Sequence, residues 1–172
     1  EVAPETRVAV VGDGKLGTLC ALSLALKSKN VILVGKHREK LAIAEKQGVE
    51  GVLLDETASA KLKKSFAVIV EASGSETGFG LALDLIKPRG KLVLKSTFHG
   101  APKWEAWRVV VDEITVVGSR CGRFAPALEL LKNRQIDVRD LIGEEFSLSD
   151  GVRAVARAGD KGVMKVLLSM NC

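Results

Sequence analysis

Short apolar runs alternate along the chain with longer segments in which apolar residues recur at helical spacing. The runs RVAVVG, NVILVG, FAVIVEASGS and KLVLKST are rich in Val, Ile and Leu. RVAVVG shows no polar alternation, which is typical of a strand buried on both faces. Residues 15–26 place apolar side chains on one face of a helix. This rhythm of strand and helix predicts an α/β fold, with βαβ units around a mostly parallel sheet.

The same pattern predicts the limits of further elements. Helices are expected over 15–26, 37–47 and 76–86, the last ended by KPRG, where proline and glycine interrupt a helix. GVLL predicts a short third strand, followed by a charged surface segment that ends at Lys64. The stretch WRVVVDEITVVGSRCG predicts one or two more strands.

The pattern changes after residue 123. A helix is expected from Phe124 to about residue 135, followed by LIGEEFSL, a short helix that ends near Ala158, and a closing strand in MKVLLSM. No internal repeat or low-complexity segment accompanies this change.

Composition narrows the class of protein. Of 172 residues, 47% are apolar, enough for a sizeable core, and no apolar run reaches the ~18 residues of a membrane-spanning helix. The net charge of +5 comes with few aromatic residues, which argues against a nucleic-acid partner. Cys20, Cys121 and Cys172 have no disulfide or zinc-ligand spacing, a pattern that suits a reducing compartment.

Residues 12–17, GDGKLG, match the G-x-G-x-x-G pattern between the first strand and the first helix. Gly12 permits a tight turn, Gly14 a close approach of the backbone to a pyrophosphate, and Gly17 close packing of helix on strand. The amides near Lys15 and Leu16 would face the phosphates. A plain tight turn and an S-adenosylmethionine pocket remain alternatives. A P-loop fits worse, because Leu16 stands where a hydroxyl is needed.

The end of the second strand indicates which nucleotide is bound. NAD-binding folds of this kind carry an acidic residue there, which binds the ribose hydroxyls. Here the position is Gly35, and the basic residues Lys36, His37 and Arg38 follow. A basic cluster would neutralise a 2′-phosphate, whereas a carboxylate would repel one. The sequence therefore favours NADP over NAD, and it also weakens the S-adenosylmethionine alternative.

Five segments in order make the pattern more specific: VAVVGDGKLG, VILVGKHREKL, IVEASGS, KPRGKLVLKST and DEITVVGSRCGRFAPALELL. Together they resemble the medium-chain dehydrogenase/reductases of the zinc-type alcohol dehydrogenase kind. The resemblance implies a six-stranded Rossmann domain over residues 1–122. It also implies that residues 123–172 are a C-terminal segment similar to the part by which such enzymes return to their catalytic domain. The implied reaction of the parent enzyme is hydride transfer between a nicotinamide and an alcohol or carbonyl.

The resemblance also implies a set of residues that line the cofactor groove. Lys15 and Leu16 would supply pyrophosphate amides, in addition to the three glycines. The adenosine ribose would be surrounded by Gly35, Lys36, His37, Arg38 and Lys40. Ser73 and Gly74 would line the groove, and the backbone of Ser96, Thr97, Ser119 and Cys121 would lie near the nicotinamide.

The sequence offers no catalytic residue of its own. Its two histidines, His37 and His99, have no Cys, His or acidic partner at zinc-ligand spacing. There is no Tyr, which excludes the Y-x-x-x-K chemistry of short-chain dehydrogenases, and no G-x-S-x-G elbow. The resemblance places a catalytic zinc in a separate domain of the parent enzyme. We therefore expect this chain to be inactive by itself. A non-catalytic nucleotide-binding or regulatory module is the alternative.

Partner surfaces are expected at two places. Val109–Val111 would form an exposed sheet edge that can pair with a second chain, and in the resembled family this region forms a homodimer contact. The C-terminal segment would expose apolar side chains such as Leu128, Leu131 and Val155.

Overall fold

A computed structural model describes residues 2–97, 105–160 and 162–170. His99 and Cys172 lie outside the described residues. The chain divides into two compact units, with the boundary between Arg123 and Phe124.

The first unit is built on a six-stranded sheet in which every strand pair is parallel. Its order is β3-β2-β1-β4-β5-β6, the doubly wound order of Rossmann folds. The predicted α/β class and six-stranded Rossmann-type sheet are therefore confirmed. The strands are β1 (Val8–Val11), β2 (Val31–Gly35), β3 (Glu50–Leu53), β4 (Phe66–Glu71), β5 (Ile86–Leu94) and β6 (Thr115–Gly118).

Helices connect these parallel strands, because a parallel pair needs a crossover that returns the chain to the same end of the sheet. They are α1 (Lys15–Ala25), α2 (Arg38–Glu45), α3 (Glu56–Leu62), α4 (Glu76–Leu85) and α5 (Ala106–Val111). None of the helices in the described ranges is long and apolar enough to cross a membrane.

The core lies on both faces of the central strands. Every residue of β1 and β2 is buried, as their continuous apolar sequences predict. Helix α1 packs Ala21 and Leu22 inward, and α4 packs Ala82 and Leu83 inward.

The register of β1 brings three loops to one edge of the sheet. Val11, the last residue of β1, pairs with Val34 of β2 on one side and with Glu71 of β4 on the other. The glycine turn after β1 therefore meets the turns after β2 and β4. In open α/β sheets this edge, at the point where the strand order reverses, is where ligands bind.

Three sequence predictions need correction. The segment before Lys64, predicted only as charged surface, contains α3, which Asp55 caps by accepting a hydrogen bond from the Ala58 amide. Strand β5 begins at Ile86, before KPRG, with an irregular register against β4. Val109–Val111 lie in α5 and form no strand.

The physical reason for the third correction is topological. Because β5 and β6 are parallel neighbours, the chain between them must cross back over the sheet. Val109 packs against the core from α5, whereas Val110 and Val111 are exposed. The edge strands of the sheet are β3 and β6, so the prediction that Val109–Val111 form a sheet edge is wrong, whereas homodimerisation itself stays a prediction.

The second unit is small. It contains α6 (Phe124–Lys132), β7 (Glu144–Ser147), α7 (Gly151–Ala158) and β8 (Val166–Ser169), and β7 and β8 form a parallel pair. Among its described residues, the buried apolar ones are Ile136, Leu141 and Ala154. Several large apolar side chains are exposed on this unit: Phe124, Leu128, Leu131, Leu148, Val152, Val155 and Met170.

Candidate functional site

A cleft of about 710 Å³ opens where the turns after β1, β2 and β4 meet. Its volume is in the range typical of small-molecule and cofactor sites. The backbone of the glycine turn and the end of β2 form one part of it, and the start of α4 forms another. Leu54 and Leu81 contribute apolar wall.

The glycine turn has no room for a side chain at Gly12 or Gly17. Gly12 has a φ of +115°, and a Cβ there would lie 2.7 Å from the Ser73 backbone. A Cβ on Gly17 would lie 1.7 Å from the Gly12 carbonyl oxygen, so α1 and the turn are in direct backbone contact. Around Gly14, the N-cap of α1, nothing lies within 4 Å of a would-be Cβ. The turn thus presents open backbone and the start of an 11-residue helix, an arrangement that suits a pyrophosphate.

Asp13, the second residue of the glycine motif, lines the cleft, although the sequence did not predict it as a site residue. Its side chain is only 10% exposed. One carboxylate oxygen, Oδ2, accepts hydrogen bonds from the amides of Lys36 (2.6 Å) and His37 (2.7 Å). The ring atom Nδ1 of His37 lies 3.0 Å from the same oxygen. A carboxylate therefore does stand at the end of β2, although residue 35 is glycine.

The basic residues after β2 do not all face the cleft. Lys36, His37 and Lys40 line it. Arg38, predicted to join them, is not among the cleft-lining residues, and its Nη1 is 3.0 Å from Oε1 of Glu45 on the same helix. Three of the four basic residues predicted around the adenosine ribose are thus brought together.

Hydrogen bonds connect the residues of the turn that follows β4. The Glu71 carboxylate is buried, and its Oε1 accepts from the amide (2.8 Å) and hydroxyl (2.5 Å) of Ser73. Ser75 caps α4 by accepting from the Gly78 amide. The Gly74 amide donates to the Ser96 hydroxyl at 2.8 Å, which links the turn after β4 to the end of β5. Ser73 lines the cleft, and Gly74 has a φ of +66°.

The remaining predicted residues lie at other strand and helix ends. Lys15 and Leu16 are exposed in the first turn of α1. Thr97 follows β5, and Ser119 and Cys121 follow β6; all three are exposed. The Ser119 amide donates to the Leu94 carbonyl, so the two loops start side by side. None of these residues lines the cleft described above.

Cys20, on α1, is partly buried, whereas Cys121 is exposed. Burial raises the pKa of the Cys20 thiol, and the charge of Lys95 opposes this effect more weakly. Lys95 also donates to the Arg120 carbonyl, so it ties the loop after β5 to the loop after β6.

The described residues offer no zinc site. Within residues 2–97, 105–160 and 162–170, no three His, Cys, Asp or Glu residues are grouped so that they could hold a metal ion.

Comparison with known proteins identifies the family. A family model described as zinc-binding dehydrogenase matches residues 16–133. This chain belongs to that family. A relative, sorbitol dehydrogenase of Halalkalibacterium halodurans, is 24% identical over 94% of this chain and 51% of its own length. The chain thus spans about half the length of the relatives it matches.

Solved structures show the same fold. A zinc-binding dehydrogenase of Sinorhizobium meliloti bound to NADP matches with a TM-score of 0.84 and 22% identity, over 97% of this chain and 53% of that one. An alcohol dehydrogenase of Escherichia coli complexed with NADH gives 0.84 and 21%, over 98% and 53%. At these identities the two matches establish the fold alone. One of the two structures contains NADP and the other NADH, so they do not distinguish between the two cofactors.

Proposed function

We propose that this chain is the cofactor-binding part of an oxidoreductase that transfers hydride between NADP(H) and an alcohol or carbonyl. The observation that carries the proposal is a single cleft in which the glycine turn and three basic residues meet. Lys36, His37 and Lys40 line the same cleft as Gly12 and Gly14. Membership of the zinc-binding dehydrogenase family supports the reaction class.

The chain's contribution to the reaction is to bind and orient the dinucleotide. The open backbone at Gly14 and the start of α1 suit the pyrophosphate. The side chains of Lys36 and Lys40 would neutralise a 2′-phosphate. The network of Glu71, Ser73 and Ser96 would fix the loops beside the nicotinamide half. The bound cofactor supplies the hydride chemistry itself.

Titration of the purified chain with NADPH, NADH and S-adenosylmethionine tests the cofactor assignment. We expect NADPH to bind more tightly than NADH, by about tenfold or more, because the basic side chains would contact the 2′-phosphate, which NADH lacks. S-adenosylmethionine should not compete. NADH binding at least as tightly as NADPH would contradict the NADP assignment and leave the dinucleotide site in place.

An activity assay tests the second part of the proposal. We expect no reduction of NADP by alcohols with this chain alone, since the described residues supply no zinc ligand set. Turnover by the isolated chain, followed at 340 nm and abolished by Gly17→Ala, would show that the chemistry lies within these residues.

A further inference from the structure

Positions 13 and 35 share the space for one side chain. A Cβ built on Gly35 would lie 2.4 Å from both Cβ and Oδ2 of Asp13, so the Asp13 side chain or the backbone would have to shift. With the backbone in its present place, a side chain can project from residue 13 or from residue 35, but not from both. This chain places its carboxylate on residue 13, in the glycine turn, instead of on the end of β2.

The turn between β2 and α2 binds the Asp13 carboxylate through its backbone amides. The amides of Lys36 and His37 both donate to Oδ2, so neither amide remains free to receive a phosphate. At residues 36 and 37, a 2′-phosphate must then be recognised by the side chains.

Asp13 also fixes the chemistry of the His37 ring. Nδ1 lies 3.0 Å from Oδ2 and 3.2 Å from Oδ1 of the carboxylate. Because an ionised carboxylate only accepts hydrogen bonds, Nδ1 carries the proton. The second ring nitrogen, Nε2, makes no hydrogen bond to any of the described residues, and His37 lines the cleft. The side chain of His37 is 36% exposed.

We propose that Asp13 is a positioning residue for 2′-phosphate recognition, which it serves by holding the β2–α2 turn and the His37 ring. His37 then contacts the phosphate through Nε2, which donates a hydrogen bond when the ring is charged. Lys36 and Lys40 add charge to the same site. This inference rests on the proposed binding of NADP(H), and it extends that function to a residue of the glycine motif.

The negative charge of Asp13 would repel a 2′-phosphate, and the donors that bind the Asp13 carboxylate would reduce this repulsion. A carboxylate near a phosphate is repulsive by itself. Here it accepts from two amides and from an imidazole that forms an ion pair with it when protonated. The competing possibility is that Asp13 acts mainly by repelling the phosphate, and the two possibilities predict opposite results when its charge is removed.

The test measures NADPH and NADH affinity for the full 172-residue chain and two variants. Asp13→Asn cannot accept both amide bonds and the ring bond. His37→Asn keeps a donor where Nδ1 lies and lacks Nε2. For each variant we expect NADPH affinity to fall roughly 10- to 100-fold, the effect of losing a hydrogen bond to a charged group. NADH affinity should stay within about twofold of that of the unmodified chain. A general structural defect would instead weaken the binding of both cofactors.

Glu50→Gln is the matched control for charge. Glu50 is exposed at the start of β3, whose far end pairs with Gly35, so the variant removes one negative charge away from the cleft. Its ratio of NADPH to NADH affinity should equal that of the unmodified chain.

The outcomes separate this inference from the proposed function. If the unmodified chain binds neither NADPH nor NADH, the proposed function fails and the inference fails with it. If the unmodified chain prefers NADPH and Asp13→Asn keeps the same preference, only the inference fails. Tighter NADPH binding by Asp13→Asn would likewise overturn it, because the carboxylate would then act by repulsion.

A second pair of variants tests the shared space and does not depend on the folding of Asp13→Asn. Gly35→Asp alone should lower the melting temperature and weaken both cofactors, because its Cβ overlaps Asp13. Adding Asp13→Gly should restore the melting temperature and make NADH the preferred cofactor, since the carboxylate then projects from β2. Asp13→Ala would not relieve the overlap, because the Cβ of residue 13 would itself lie 2.4 Å from a Cβ at residue 35. A Gly35→Asp chain that melts like the unmodified one would overturn the inference.

Discussion

At the residue scale, the site depends on positions where the backbone of one element touches that of another. Gly17 is the clearest case. A Cβ there would lie 1.7 Å from the Gly12 carbonyl oxygen, and Gly12 itself is held at a φ that favours glycine. A side chain at residue 17 would therefore require α1 to move away from the turn after β1.

We therefore expect Gly17→Ala to lower the free energy of unfolding by about 3 kcal/mol or more and to abolish cofactor binding. Urea denaturation measures the first effect and NADPH titration the second. Gly118→Ala is the control, because its Cβ would meet nothing within 4 Å. It should change stability by about 0.5 kcal/mol at most. Equal effects of the two substitutions would contradict the close approach at Gly17.

The two described cysteines give a second prediction at this scale. Burial raises the pKa of Cys20, and Cys121 is exposed after β6. Because the thiolate is the reactive form, iodoacetamide at pH 8 should modify Cys121 at least about tenfold faster than Cys20. Peptide mass spectrometry follows each cysteine separately. Saturating NADPH should slow only the modification of Cys121 if the loop after β6 lies beside the nicotinamide. Faster modification of Cys20 would contradict its burial.

At the scale of elements, α5 shows how topology can override the preference of individual residues. Three successive valines favour a strand by propensity, yet the scale of that preference is only about 1 kcal/mol. The parallel pairing of β5 with β6 requires a crossover, and α5 provides it. Arg108 fastens α5 to α4, since its Nη2 contacts the Leu83 carbonyl and the Asp84 carboxylate.

The helix predicts opposite effects at neighbouring valines. Val109 packs against the core, so Val109→Ala should lower the free energy of unfolding by about 1 to 2 kcal/mol. Val110 is 75% exposed, and Val110→Ala should leave stability unchanged or raise it by about 0.5 kcal/mol, because Ala favours helix. Urea denaturation of both variants measures the difference. A loss at both positions would indicate a strand.

The sequence predicts the elements whose signals are local. The buried strands β1 and β2, the glycine turn and α1 follow from apolar runs and glycine spacing. The contact of Asp13 with Lys36 and His37 joins residues 23 and 24 positions apart, so no local pattern reveals it. The sequence does contain an Asp within the glycine motif and a Gly at residue 35, a pair that could indicate this contact. The pair can be interpreted only once the register of β1 against β2 is known.

At the scale of the whole molecule, the two compact units carry different surfaces. Every residue that lines the candidate cleft belongs to the first unit. The second unit exposes large apolar side chains on α6 and α7, including Phe124, Val152 and Val155. The chain spans about half the length of the relatives it matches. The candidate cleft and the exposed apolar faces of α6 and α7 thus lie in separate units of the chain.

This separation predicts where bound cofactor will stabilise the chain. NADPH at 100 times its dissociation constant should stabilise the folded first unit by about 2.7 kcal/mol. Hydrogen exchange of backbone amides, followed by mass spectrometry, should show slower exchange in β1, β2, β4 and α1. Peptides from α6, β7, α7 and β8 should exchange at the same rate with and without NADPH. The Gly17→Ala variant, which should not bind, is the control for effects of the nucleotide alone. Equal protection of both units would mean that cofactor binding at the cleft is energetically coupled to the second unit, contrary to the confinement of the cleft to the first.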